Sequence, residues 1–313
     1  MTNTIAAATS DEILLRVPDL VEQLSIDVAS NELDRRLAYD SVELVRASGV
    51  TALRVPLRHG GPGGSLPQLF NVVVAIAQAD SNLAQGLRSH FGFVESTLTR
   101  ESEANRERWL AEVVAGKLFG LSEAELGIND PRKWRTTVLV DASGRRTLNG
   151  TKYYSTGSLF ADWIEVVAKN GDDKLTTLIV PSTREGVALV DDFDGMGQRA
   201  TASGTTVFTD VVVHDDEILN IPDFTAEDRP FTHQGGFYQL YLAAVSAGIA
   251  KNVYSDAAEY VRTKARTPSH SIADSAATDP YVLETVGEIG ALAFGAESAV
   301  LRAAESLEEA TRA

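Results

Sequence analysis

Residues 152–169 read Lys152-Tyr-Tyr-Ser-Thr-Gly-Ser-Leu-Phe-Ala-Asp-Trp-Ile-Glu-Val-Val-Ala-Lys169. Two β-prone runs, 152–155 and 163–169, flank a short turn-rich segment. Aromatic and β-branched residues favour a pleated strand, and Gly, Ser and Asp punctuate it. Working outward, the same texture recurs at 134–140, 146–148, 175–181, 187–190 and 205–214. No helix-length segment intervenes, so a compact antiparallel β unit is expected, not a chain of βαβ units.

On both sides of this block the period changes to about 3.6, the mark of amphipathic helices. Before it, apolar residues recur in this way from Ile13 to Val28 and from Leu33 to Val45, then through 66–78, 81–100 and 101–115. A Gly/Pro loop, Val55-Pro-Leu-Arg-His-Gly-Gly-Pro-Gly-Gly-Ser65, interrupts them. After the block, 238–266 reads as one long helix and 267–280 as a polar connector. Val282, Val286, Ile289, Ala293, Ala296, Val300, Ala303 and Leu307 then form a stripe suited to burial in a bundle. The expected class is α+β in the order α, β, α, with regions 1–116, 117–222 and 223–313.

Composition narrows the function. The 313 residues carry 28 Lys plus Arg against 44 Asp plus Glu, a net charge of −16. Such a surface repels phosphate backbones and anionic lipid, so neither nucleic acid nor a membrane is an expected partner. There is no cysteine, which excludes disulfides, Fe–S clusters and thiolate chemistry. The N-terminus lacks a signal-peptide pattern and no apolar run reaches the ~20 residues of a membrane span. The expected location is the cytoplasm.

Familiar motifs fail. Gly60-Gly-Pro-Gly-Gly-Ser-Leu66 does not complete G-x-G-x-x-G, and Asn149-Gly-Thr-Lys152 is not a P-loop. His59, His90, His214, His233 and His270 show no i, i+4 pair, so no metal site is expected. His90, between Ser89 and Phe91 in a helix, reads from composition as a packed core histidine. Arg199, in Gly195-Met-Gly-Gln-Arg199, suits either an anionic ligand or a carboxylate of the fold.

In register, four short motifs resemble those of the acyl-CoA dehydrogenase superfamily. They are Leu53-Arg-Val-Pro-Leu-Arg-His-Gly-Gly-Pro-Gly64, Phe119-Gly-Leu-Ser-Glu123, Lys152-Tyr-Tyr-Ser-Thr156, and Gly195–Thr205 followed by Val211-Val-Val-His214. That resemblance implies an N-terminal helical domain, a central antiparallel β-barrel and a C-terminal helical bundle. Tyr153-Tyr-Ser-Thr-Gly-Ser-Leu-Phe-Ala-Asp-Trp163 is closer to the dibenzothiophene monooxygenase and sulfur-acquisition branch. Members of that branch take reduced FMN from a separate reductase, bind O2, form a C4a-hydroperoxyflavin and oxygenate sulfur. The implied function is therefore a flavin-dependent monooxygenase acting on a small, sulfur-containing apolar substrate.

Carried over residue by residue, the resemblance implies that Ser122 faces the flavin pyrimidine edge and that Tyr154, Ser155 and Thr156 lie behind the ring. His90 becomes the group near the hydroperoxide, with Ser155 and Thr156 at flavin N5. Phe91, Phe93 and Tyr238 would line the substrate cavity. Arg199 could meet the flavin, and Arg266, with Arg262 as the alternative, would reach its phosphate across a subunit interface in a dimer or tetramer. Departures matter as well. Ile128 stands where a phosphate-contacting Ser is usual, which favours FMN over FAD. Tyr238 and Gln239 stand where some dehydrogenases carry Glu and Arg.

An FAD-dependent acyl-CoA dehydrogenase or oxidase remains the alternative, and a flavin-free, non-catalytic paralogue the second. Relatives continue with further helices beyond the position of Ala310, so the chain reads as short for the family, and the later Glu of many dehydrogenases would lie beyond Ala313.

Overall fold

The computed structural model describes residues 8–219, 225, 232–267 and 269–312. Eight helices come first: α1 Ser10–Leu14, α2 Val17–Leu24, α3 Val28–Asp34, α4 Tyr39–Ser48, α5 Leu66–Ala79, α6 Ser81–Gly86, α7 Arg88–Arg100 and α8 Glu103–Val114. Their starts are written in the sequence. Thr9 and Glu12 form a capping box on α1, and Ser65 and Gln68 form one on α5. The stretch 81–100, expected as one helix, is two. Asp80 caps α6 through the amides of Asn82 and Leu83, and Leu87 separates α6 from α7.

Seven strands follow: β1 Phe119–Ser122, β2 Thr137–Val140, β3 Arg146–Lys152, β4 Trp163–Lys169, β5 Leu175–Pro181, β6 Val187–Val190 and β7 Thr205–Val213. They join in one sheet in the order β1-β4-β2-β3-β7-β6, with β5 on β4. The expected all-antiparallel unit is corrected here. β1 runs parallel to β4, and β2 touches β4 in parallel at Thr137 and Lys169. A mixed, curled sheet results, because β1 belongs to a segment some forty residues before its partner and pairs over a distance that no local pattern reveals. Ile164, Val166 and Ala168 of β4 face the sheet's own core with Leu148, Leu178 and Phe208. Trp163 and Glu165 lie on the opposite face by the period of two, toward the helices.

Two long helices, α9 Gln234–Thr263 and α10 Pro280–Arg312, pack on α5. α9 crosses α5 at Gly248, where a β-carbon would come within 2.5 Å of the Ala77 side chain and 2.6 Å of the Val74 carbonyl. α5 is the centre of the largest apolar core, with Leu69, Phe70, Val73 and Val74 all but removed from solvent. The α10 stripe runs as expected, with one exchange: Ala304, not Ala303, is the buried alanine of that turn. Among the described residues no helix is long and apolar enough to cross a membrane.

Candidate active site

The strand exit Ser155-Thr156 forms a shelf of hydroxyls where the sheet meets α7. Ser122, at the end of β1, is fully buried. Its Oγ lies 3.0 Å from Ser155 Oγ and 3.2 Å from Thr206 Oγ1. A second chain links Thr201, Ser203 and Thr156, with Ser203 Oγ 3.0 Å from Thr156 Oγ1. Ser89 of α7 donates to the Thr156 carbonyl at 2.8 Å, which ties the shelf to the helix. Tyr154 takes a left-handed backbone, φ 56°, and exposes its ring beside Phe193. A cleft of about 390 Å³ opens there, lined by Tyr153, Tyr154, Phe193, Ser203 and two acids, Asp192 and Asp194.

α7 turns three different faces to its surroundings. His90 points to the N-terminal helices. Its Nε2–H donates to the Thr51 carbonyl at 2.9 Å and its ring stacks on Phe119. Burial, with Arg46 adding to it, holds the imidazole down to about 4, so it is neutral at pH 7. Its Nδ1 is then a buried acceptor without a partner. Phe91 packs on Tyr241 in the main core, and Phe93 stacks on Phe119 with ring centroids 4.0 Å apart. Both serve packing.

Toward α9, helical spacing lines up Arg88, Gly92 and Ser96 in one stripe. Tyr238 of α9 rests on it: the Arg88 guanidinium lies 5.4 Å from the ring centre, and the phenol packs on the Gly92 backbone. Gln234, one turn earlier, hydrogen-bonds Tyr238. Burial, and the acids Glu165 and Glu123 after it, push the Tyr238 phenol upward. Glu165 closes the seam from β4 and is 7% exposed. Burial first, then the neighbouring Glu123, raise it to about 8. Glu123 is itself raised by burial, against the opposing pull of Lys152 and Arg88. Sequence reasoning passed over Arg88, Ser96, Glu123 and Glu165. The available signal was an ionisable residue in the middle of Trp163-Ile-Glu-Val-Val-Ala-Lys169, a run patterned for burial.

The expected cations stand elsewhere. Arg199 bonds the Glu32 side chain at 3.2 Å and its carbonyl at 2.7 Å, so it holds α3 to the sheet's Gly-rich loop. Arg266 lies three residues past the end of α9 and is exposed, and Arg262 pairs with Glu259 at 2.6 Å. The shelf therefore offers hydroxyl and amide partners suited to the polar edge of a flavin ring. The adjoining cleft holds two acids and no cation among its described lining residues, so a flavin phosphate there would need a cation from outside it. Ile128 packs against the Trp134 cluster.

Comparison with known proteins agrees with this architecture. The family profile "Acyl-CoA dehydrogenase, middle domain" matches residues 119–211. Dibenzothiophene monooxygenase of Mycolicibacterium goodii is 30% identical over 282 residues, covering 87% of this chain and 68% of the relative. The probable FMNH2-dependent monooxygenase SfnC of Pseudomonas putida is 30% identical, covering 86% and 67%. The crystal structure of FMN-bound TdsC from Paenibacillus sp. A11-2 superposes with a TM-score of 0.87 at 28% identity, covering 95% of this chain and 76% of that one. The chain thus spans about two thirds of the length of the curated relatives it matches.

Proposed function

Because this chain belongs to the dibenzothiophene monooxygenase family on the acyl-CoA dehydrogenase fold, we propose that it is a reduced-flavin-dependent monooxygenase oxidising a small sulfur compound. Reduced FMN, delivered by a separate reductase, supplies the electrons that activate O2 when bound. The chain's own residues do the rest. Ser155 and Thr156, with Ser122 behind them, hold the ring's polar edge. The apolar packing of α7 around His90 excludes water, which suppresses wasteful release of peroxide. His90 stays neutral, and its Nδ1 is a buried acceptor with no partner inside the protein.

One observation favours this reading over those dehydrogenases that carry their catalytic Glu early in this long helix. The α9 position facing the seam holds Tyr238, a phenol pushed further from ionising by burial, and not a carboxylate base. A tyrosine of that kind donates a hydrogen bond; it does not remove a proton from carbon at neutral pH. The phosphate cation in this reading is Arg266 of a neighbouring copy, which makes the working unit an oligomer.

The test supplies the purified full-length chain with FMN, NADH, an independent flavin reductase and O2. Alkyl and aryl sulfur compounds are offered, and S-oxygenated product is measured against peroxide. Tight FAD with reduction by acyl-CoA would reject the reading in favour of a dehydrogenase. Failure to bind FMN in either redox state would leave a non-catalytic paralogue.

A further inference from the structure

Lys152 ends β3 with its side chain removed from solvent. An ammonium is costly to bury unless its three donors find partners. Here every partner comes from residues 123–136, the excursion that joins β1 to β2. Lys152 Nζ donates to the Glu123 carbonyl at 2.8 Å and to Glu125 Oε1 at 3.1 Å. It also lies 4.2 Å from the centre of the Trp134 ring. The Glu125 carboxylate passes the tie on, accepting from the amides of Arg135 at 2.8 Å and Thr136 at 2.9 Å. Burial holds Lys152 down to about 8, with Glu125 and Glu123 pulling the other way, so the ammonium form prevails at pH 7.

The excursion has little regular structure of its own. It holds one short 3-10 turn, Pro131–Lys133, and one bridge, Glu125 to Ile128. The chain on either side of the ammonium is the hydroxyl shelf. Ser122 precedes Glu123, and Tyr153-Tyr-Ser-Thr156 follows Lys152. The Tyr153 amide donates to the Ala124 carbonyl at 2.9 Å. In the β3–β7 ladder Lys152 stands opposite Thr206, whose Oγ1 lies 3.2 Å from Ser122 Oγ. Leu126 from the excursion, and Tyr153 and Tyr154 from beyond Lys152, line the same cleft of about 390 Å³. One ammonium therefore joins two of the chain segments that build the cleft. Stability alone does not call for it, because apolar residues of similar volume often replace a buried ion pair without loss. What the charged set fixes is the placing of one carbonyl and one carboxylate.

Resting on the reading of this shelf as the flavin seat, we propose that Lys152 is the positioning residue of that seat: through Glu123 and Glu125 it sets where the β1 exit stands against the β3 exit, and so how the cleft fits the flavin ring. Ser122, Ser155 and Thr156 make the contacts. Lys152, buried behind them, acts only through its partners.

The experiment titrates the full-length chain with oxidised FMN, and with dithionite-reduced FMN in the absence of oxygen. Affinity is read by calorimetry and the ring's surroundings by the absorption band of the saturated complex. Urea unfolding of each variant is measured alongside. K152M, which keeps the stem and loses the charge, should weaken FMN by about tenfold or more and move the band toward that of free flavin. K152R, which keeps the charge, should recover part of both. E125Q, which keeps an acceptor and loses the ion pair, should act in the same direction and less, and it carries the test if K152M does not fold. A folded K152M, or in its place a folded E125Q, with wild-type affinity and band would overturn the proposal, whatever its urea midpoint. K152R as weak as K152M would overturn the role of the charge. Failure of the wild-type chain to bind FMN in either redox state would instead sink the flavin reading on which the proposal rests.

Discussion

The phenolic oxygen of Tyr238 occupies the space where a β-carbon on Gly92 would sit, 2.3 Å from it. That contact sets the distance between α7 and α9 and hence the width of the seam. Helix propensity alone favours replacing the glycine by alanine, by about 1 kcal/mol. Overpacking at a contact this close costs about 1–3 kcal/mol, and the ring has Arg88 and Gln234 around it. The clash wins: G92A should lower stability in urea unfolding, and adding Y238A should recover part of the loss. A more stable G92A would show that Tyr238 is not seated on α7.

His90 links the fold to pH. Its folded-state value is about 4 against an ordinary 6.5, so the unfolded chain binds the proton first. Its contribution to stability is present above pH 6.5 and is lost as pH falls through that value toward 4. A difference of this size corresponds to about 3 kcal/mol. H90Q, whose amide can still donate to Thr51, should flatten the acid limb of a urea series between pH 7 and pH 5. An unchanged limb would place the acid sensitivity elsewhere. In the flavin assay, H90A should release more peroxide per product, and equal coupling would remove His90 from the oxygen chemistry.

Much of this architecture is legible from residue patterns, and the failures have physical causes. The strands 163–169 and 175–181 fall where alternation and turn residues place them. By contrast, 146–148 and 152–155 read as two strands, yet β3 runs from Arg146 to Lys152. Asn149-Gly150 looks like a turn, but the register shifts by a bulge at that point and Gly150 lies against Thr136, where no side chain fits. At the candidate site, the neighbours on the strand exit were legible: Ser122 Oγ meets Ser155 Oγ, and Thr156 joins the adjacent hydroxyl chain through Ser203. The site was not legible where partners decide. Arg199 meets Glu32, which is 167 residues away, and Phe91 and Phe93 are one turn-position from the seam but face other cores. Two residues of helix rotation separate a cavity wall from a packing residue, and only the partner helices fix that rotation.

Glu165 should make stability depend on pH at the alkaline end. Its folded-state value of about 8 exceeds the ordinary 4.5, so folding retains a proton that the unfolded chain gives up. That contribution is fully present below pH 4.5 and is lost as pH rises toward 8. E165L replaces a buried carboxyl, whose ionised form is penalised by desolvation, with apolar packing. E165L should therefore unfold at higher urea than wild type at pH 8, with little difference at pH 4.5. Equal midpoints at pH 8 would mean that the carboxyl is solvated or paired when ionised.

Arg54 and Glu95 form the joint that holds the helical region together. Arg54 Nε donates to Glu95 Oε1 at 2.6 Å and its Nη1 to the Gly64 carbonyl at 2.6 Å, while Glu308 of α10 lies 3.7 Å away and accepts from the Leu66 amide. Glu95 is raised by burial, but His233 and Arg54 outweigh that and hold it below the ordinary range. One guanidinium thus connects the Gly-rich loop, α7 and α10. Removing one member of such a pair strands a buried charge, at a cost of about 3–5 kcal/mol. R54M should destabilise by this much, whereas R54M with E95L, which removes both charges, should recover most of it. Because the double variant restores α7 packing without restoring charge, its FMN affinity separates two roles. Normal affinity makes the pair a brace. Lost affinity with recovered stability makes the exact seat of the Gly-rich loop a condition for holding the cofactor.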